Sequence, residues 1–149
     1  MDSKLQLDLA ERASVAPYVD YPPTPRWYAP AVGLWAAGMA FVLANMSDNK
    51  SFAVPALVVL LVIEVAFMRW YRNYMGTMPN YENAPAEIRR ELWRYAVGVV
   101  VAFAAICAGL YFGGALAGAI VAFSTVTIGL TVYERRYAAA AKQTKQRLS

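Results

Sequence analysis

The residue in this chain with the clearest capacity for chemistry is Glu64, a carboxylate inside a long apolar stretch. The letters ALVVLLVI precede it and VAF follow it. A charged group is costly in such surroundings, so an acid kept there is a candidate carrier of a proton or cation. A structural role is the alternative. Arg69 follows about one turn later, and a hydrogen bond to a neighbouring helix, or a neutral acid, would also satisfy the side chain.

Other residues with chemical capacity are few. Ser124, Thr125, Thr127 and Thr131 lie in an apolar stretch and could line a polar path, but such hydroxyls usually bond to nearby carbonyls or to the next helix. The chain has no histidine, which excludes imidazole-ligated zinc or haem and a Ser-His-Asp triad. No phosphate-binding glycine motif is present, and the lone Cys107 cannot form an intrachain disulfide. The sequence therefore predicts no enzyme, no cofactor and no metal site.

The elements that must position Glu64 are apolar stretches of membrane-spanning length. Hydrophobic residues make up 59% of the 149 residues and charged residues 16%, against about a quarter charged in soluble domains. A bilayer core of about 30 Å is crossed by about 20 helical residues. The sequence predicts an all-α, polytopic membrane protein with four transmembrane helices, arranged as two antiparallel hairpins in a bundle. The predicted spans cover about 27–46, 52–71, 93–112 and 115–133.

Polar segments flank this predicted transmembrane domain, residues 27–137. The N-terminal tail, residues 1–26, has four prolines between positions 17 and 25, which favour an extended approach to the membrane. Residues 3–16 show helical spacing of leucine and alanine, so a short amphipathic surface helix and disorder are both open. A cytoplasmic link, residues 72–92, joins the hairpins. A basic C-terminal tail, residues 138–149, is expected to continue the last helix and fray in water.

Lysine and arginine residues predict the orientation of the chain. Of the fourteen, all but Lys50 lie in the two tails, directly before the C-terminal tail, or close to the link. Because positive residues are retained on the cytoplasmic side, both termini and the link are expected in the cytoplasm. The aromatic residues Trp27, Trp70 and Trp93 fall at the same predicted boundary, as in many membrane proteins.

Two further groups of residues are candidate contact sites. Gly109, Gly113, Gly114 and Gly118 lie at or near four-residue spacing, which lets helix backbones approach closely; they could close the second hairpin or form a homodimer. Basic residues next to the predicted spans could bind anionic lipid headgroups, a more probable partner than nucleic acid for charges that flank apolar segments. These basic residues are Arg89, Arg90, Arg94, Arg135 and Arg136.

The layout also resembles that of a known group of proteins. A proline-rich tail ending in Pro25-Arg26-Trp27-Tyr28 precedes two apolar stretches, and a Tyr133-Glu134-Arg135-Arg136-Tyr137 run closes two more. This plan is similar to that of small, uncharacterised four-span membrane proteins of high-GC Gram-positive (actinobacterial) bacteria. The resemblance implies a multi-pass protein of the bacterial plasma membrane and carries no activity or site residue with it.

Together these features favour a non-catalytic membrane component over an enzyme. The leading hypothesis is a structural or accessory part of a membrane assembly, in contact with the lipid bilayer and with a membrane-protein partner or a second copy. The alternative is a small proton-coupled transporter that works as a dimer with Glu64 as the ion carrier.

Overall fold

The protein is all-helical, as the sequence predicts. A computed structural model describes residues 3–76 and 84–147. The four helices are α1 (Ser3–Val19), α2 (Tyr28–Ala44), α3 (Lys50–Met75) and α4 (Ala86–Arg147). Part of the predicted link, residues 77–83, lies outside the described residues, as do both chain ends.

Helix α4 is a hairpin of two arms that meet at Gly114. This glycine has φ 73° and ψ −167°, a backbone conformation that is essentially open only to glycine. The first arm, residues 86–113, and the second arm, residues 115–147, then run side by side. The rings of Tyr95 and Tyr133 lie 4.6 Å apart, and Arg147 reaches Glu87 at 3.7 Å. A straight helix would separate these pairs by tens of ångströms.

Helices α2 and α3 form a second antiparallel pair joined by a short polar turn. The Asn49 side chain accepts a hydrogen bond from the Phe52 amide at 3.3 Å, so α3 begins at Lys50, before the span start predicted at residue 52. The indole Nε1 of Trp35 donates to the Leu60 carbonyl at 3.1 Å. At the other end of the pair, the rings of Trp27 and Trp70 lie 4.9 Å apart.

Among the described residues, α2 and α3 differ in how much they pack against the α4 hairpin. Helix α2 packs against α4 along much of its length, whereas α3 packs against α2 alone. Two described helices, α3 and α4, are long and apolar enough to cross a membrane; α2 is apolar but has 17 residues. At 1.5 Å a residue it covers about 25 Å, which is short for a bilayer core. By length and apolar composition, two of the described helices are therefore candidate spans, against the four spans predicted from the sequence.

A small core closes the end of the molecule where α1 meets both arms of α4. Its buried members include Tyr18 of α1, Ile88 of the first arm and Tyr137, Ala140 and Ala141 of the second. Of the two alternatives left open for residues 3–16, the structure has the helix, which covers Ser3–Val19 as α1 and packs on α4. Helix α4 continues to Arg147, and Ala140 and Ala141 are buried in the same core as Ile88.

Candidate functional site

An apolar groove of about 650 Å³ runs between α2 and the two arms of α4. Helix α2 contributes Val32 and Trp35, and small residues of the arms, such as Gly98 and Gly129, leave the space open. Its length is lined mostly by aliphatic and aromatic side chains. These are Val99, Ala102, Phe103, Ile106, Val126, Leu130 and Val132.

Charged side chains stand at one end of this groove. Glu91 is 8% exposed and forms an ion pair with Arg94 through Oε1. Its second oxygen, Oε2, is buried and has no hydrogen-bond partner within 3–76 and 84–147. Arg136 also lines the groove and is exposed, and it forms no ion pair with the described part of the chain. The groove therefore combines an apolar length with a polar end that offers an unpaired guanidinium group.

A second cavity of about 310 Å³ opens beside the charged end. It shares Tyr28, Tyr95, Leu130 and Tyr133 with the groove, so the two spaces adjoin. Four segments of the chain bring tyrosine rings to its wall. The six tyrosines are Tyr21, Tyr28, Tyr71, Tyr95, Tyr133 and Tyr137.

Glu134 supplies the carboxylate of this tyrosine cavity. No lysine or arginine is among the cavity-lining residues, and Glu134 has no ion pair among the residues described. Desolvation raises the pKa of the Glu134 carboxyl group above its ordinary value. Desolvation and, secondarily, the Glu134 charge raise the pKa of the Tyr21 hydroxyl. The cavity is thus a site of negative potential without a built-in counterion.

Tyr137 links the cavity to the small core. Its hydroxyl donates to the Tyr18 carbonyl at 3.2 Å, and its ring meets Tyr21 edge to face at 5.3 Å between centroids. Burial, followed by the neighbouring tyrosines, raises the pKa of Tyr137 to about 12. The proline-rich stretch before α2 is thereby held against the second arm of α4.

Glu64, the candidate ion carrier, lies away from both of these spaces. It is half-buried and shares a helix face with Leu60 and Phe67, whose contacts with Trp35 and Tyr28 define the side of α3 that meets α2. Glu64 has no hydrogen bond or ion pair to any described residue, and it lines neither cavity. The structure therefore separates the predicted carrier from the two cavities.

The glycines chosen from the sequence all lie at the tip of the α4 hairpin. A Cβ atom added at Gly109 would lie 3.3 Å from Cα of Gly118, and one added at Gly118 would collide with Leu110. One at Gly113 would collide with Ala117. Gly114 makes the turn through its positive φ. These positions are placed within one chain, where they allow the two arms to touch.

One close helix contact was missed in the sequence. A Cβ atom at Gly33 of α2 would collide with the Thr127 hydroxyl and lie 3.0 Å from the Phe123 carbonyl oxygen. Thr127 Oγ1 is buried and has no hydrogen-bond partner among the described residues. The available signal was the four-residue spacing of Gly33 and Ala37, a small-residue pair like those noted on α4.

The five arginines proposed to contact lipid are all exposed. Within the described residues, Arg94 alone among the five forms an ion pair, with Glu91. Two of the four candidate hydroxyls of the second arm bond within their helix: Thr125 donates to the Val121 carbonyl at 2.7 Å, and Thr131 to that of Thr127 at 2.8 Å. These bonds leave those two hydroxyls little capacity to line a polar path.

Comparisons with known proteins do not add a family to this description. No protein-family model, curated protein or solved structure matches the chain.

Proposed function

We propose that the chain is a four-span integral membrane protein of the bacterial plasma membrane, with both termini in the cytoplasm. Support comes from α3 and from the two arms of α4, each of which carries an apolar stretch of span length. Helix α2 is the shortest of the proposed spans, and Trp27 before it and Asn45-Met46 after it would continue the chain to the two membrane–water interfaces. The turns at residues 45–49 and 114 lie at the end of the helices opposite the arginine-rich end, which fits a positive-inside orientation.

Within that membrane, the proposed function is that of a non-catalytic accessory component that docks on another membrane protein through α3. The observation that supports it is the position of α3, which packs against α2 alone and carries a carboxylate, Glu64, without a partner among the described residues. An unpaired acid inside a span costs about 2.5 to 3.5 kcal/mol on insertion scales. Glu64 lies on the side of α3 that meets α2 but is only half-buried there. A partner helix that packs along the seam between α2 and α3 and offers a hydrogen-bond donor to its exposed part would remove much of this cost.

Photo-crosslinking tests the docking surface directly. A photoreactive residue at Val65 of α3, which is 69% exposed, is compared with one at Val100 of the first arm, which is 67% exposed. In native membranes we expect an adduct of defined mass with a membrane protein at position 65 and only lipid adducts at position 100. Glu64→Leu should weaken the adduct, whereas Glu64→Gln should retain it because an amide still forms hydrogen bonds. Lipid adducts at both positions, together with a monomeric mass in native nanodiscs, would contradict docking.

The same two Glu64 variants separate docking from proton-coupled transport. A carrier needs a titrating group, so Glu64→Gln would abolish proton-driven uptake into proteoliposomes while the docking adduct remained. Because Glu64 lies outside both described cavities, the geometry favours docking as the proposal. An adduct with twice the mass of the chain would instead assign α3 to a homodimer.

Cysteine labelling tests the orientation. Cys107 is exposed and is first replaced by alanine. Single cysteines are then placed at Ser47, in the turn between α2 and α3, and at Arg90, at the arginine-rich end. In intact cells a membrane-impermeant maleimide should label position 47 and reach position 90 only after permeabilisation. The reverse pattern would contradict the proposed orientation.

A further inference from the structure

The groove and the tyrosine cavity adjoin, and their ends differ in chemistry. The groove offers an apolar length between Trp35, Phe103 and Ile106. The cavity offers phenol rings and the Glu134 carboxylate. Arg136 and the Glu91–Arg94 ion pair stand at the groove's charged end, among the tyrosines that both spaces share. From the groove into the cavity, the lining therefore changes from apolar side chains to basic ones, and then to tyrosine rings with one carboxylate.

The aromatic end has the chemistry of a cation site. Tyrosine rings present negative faces that attract a cation within about 6 Å of the ring centre, and cages of such rings bind quaternary ammonium groups. Here Tyr28 and Tyr71 lie 5.7 Å apart, Tyr95 and Tyr133 lie 4.6 Å apart, and Tyr21 closes the wall. A volume of about 310 Å³ is sufficient for a small organic cation.

Glu134 gives this cage a formal charge. Its desolvation raises the pKa of the carboxyl group, which means that the charged form lacks stabilisation within the chain as described. A cation in the cavity would supply that stabilisation, because opposite charges attract more strongly away from bulk water. No lysine or arginine among the lining residues of the cavity would compete with such a cation for Glu134.

Arg136 lies where the groove meets the tyrosine cavity, and its chemistry suits the phosphate group next to the ammonium group of a phospholipid. A guanidinium group binds phosphate oxygens through paired N–H donors. Arg136 is exposed and forms no ion pair with the described residues, whereas the charge of Arg94 is offset by Glu91. Arg136 is therefore the better phosphate contact of the two.

We infer that the adjoining groove and cavity bind one amphiphile whose headgroup carries an ammonium group, a zwitterionic phospholipid, with its acyl chain along Phe103 and Ile106, its phosphate at Arg136 and its ammonium among the tyrosines beside Glu134. This goes beyond docking through the exposed face of α3 around Val65, because α3 contributes only its last residues, Tyr71 and Met75, to the cavity. The site otherwise needs α2, α4 and the segment around Tyr21, so its failure would leave the docking proposal untouched.

Three probes test whether the site binds the whole ammonium lipid, any lipid of the same chain length, or the ammonium group alone. The whole chain in maltoside micelles is titrated with lysophosphatidylcholine, with lysophosphatidylglycerol of the same acyl chain, and with choline, while tyrosine and tryptophan fluorescence is followed. We expect the ammonium lipid to bind about tenfold more tightly than the anionic one, and choline to bind more weakly than the ammonium lipid. Equal affinity for the two lipids would overturn ammonium recognition. Choline binding as tightly as the ammonium lipid would overturn the lipid source and leave a free solute as ligand.

Variants separate the cage from general packing. Tyr95→Phe keeps the ring and should retain binding, whereas Tyr95→Leu should weaken it about tenfold. Glu134→Gln should weaken binding of the ammonium lipid by a similar factor and leave the anionic lipid unaffected or tighter. Asp48→Asn removes one charge in the distant turn between α2 and α3 and serves as the matched control. Equal loss for Tyr95→Phe and Tyr95→Leu, or for Glu134→Gln and Asp48→Asn, would contradict the assignment.

Circular dichroism of each variant distinguishes loss of the binding site from loss of the fold. Because desolvation disfavours the charged form of Glu134, Glu134→Gln should melt at or above the temperature of the unchanged protein at neutral pH. Lost binding with retained melting temperature supports the site; lost binding only in variants that melt lower would overturn it.

Discussion

The rings of Tyr95 and Tyr133 lie 4.6 Å apart between centroids, tilted by 42°, and the two residues are equally far along the chain on either side of Gly114. Leu110 and Gly118, each four residues from that glycine, meet near the tip, and Ile88 and Ala140 both belong to the small core at the open end. Because the two arms contact each other near the tip and at the open end, the turn at Gly114 sets the register of the residues that the arms contribute to the tyrosine cavity.

Gly114→Ala should destabilise the hairpin. A φ of 73° with a ψ of −167° is strained for any residue with a Cβ atom, at a cost of about 1 to 3 kcal/mol. The melting temperature in maltoside micelles, followed by circular dichroism, should fall. Gly129→Ala is the matched control, since its Cβ would meet nothing within 4 Å and alanine favours a helix. Equal melting temperatures for the two variants would contradict the assigned turn.

The contact between α2 and α4 makes a second prediction. Gly33→Ala should cost about 1 to 3 kcal/mol, because the added methyl group meets the Thr127 hydroxyl and the Phe123 carbonyl oxygen. Thr127→Ala alone should be nearly neutral or stabilising, since it removes a buried hydroxyl without a described partner. In the double variant the second change should relieve part of the first. Strict additivity of the melting-temperature changes would show that the two positions do not touch.

Much of this fold is readable from the sequence because apolar length and turn residues are local properties. The stretch around Glu64 predicts α3, and the Gly113-Gly114 pair predicts the hairpin turn. Rotation about each helix axis is not readable in the same way, since these helices are apolar on all sides and lack a polar face to orient them. For that reason the Gly33 contact and the pairing of α3 with α2 alone emerged only in three dimensions.

The tyrosine cavity illustrates a second limit. Its wall combines Tyr21 before α2, Tyr71 at the end of α3 and residues of both arms of α4, so no single motif encodes it. The sequence places aromatic residues at one membrane boundary, which is the generic expectation for anchoring. It does not reveal that Tyr21 and Tyr71 come together with Glu134 in one cavity. The sequence likewise left residues 3–16 open between helix and disorder, and burial of Tyr18 against α4 is what holds α1 in place.

Alkaline pH should unfold the end of the molecule around Tyr137. The pKa of this hydroxyl is about 12 in the folded protein against a usual 10.0. Above pH 10 the unfolded chain therefore loses its proton first, so stability is fully present below about pH 10 and is lost as pH rises toward 12. Melting curves across this range test the prediction.

Tyr137→Phe is the control for that pH dependence. It removes the hydrogen bond to the Tyr18 carbonyl, at 3.2 Å, and should cost about 1 kcal/mol near neutral pH. It should also flatten the decline in melting temperature between pH 10 and 12. An unchanged slope would show that other tyrosines, such as Tyr21, govern the alkaline transition.

The arginines at the arginine-rich end of the helices should differ in their effect on anionic lipid because their pairing differs. Arg90 and Arg135 are exposed and form no ion pair with the described residues, so each should contribute about 1 kcal/mol near an anionic surface. Arg94 is already neutralised by Glu91, and Arg94→Gln should lower affinity less than Arg90→Gln or Arg135→Gln. Retention of phosphatidylglycerol by the purified protein measures this, and the difference should shrink as salt screens the charges. A loss for Arg94→Gln as large as for the other two would show that the Glu91 ion pair opens when lipid binds.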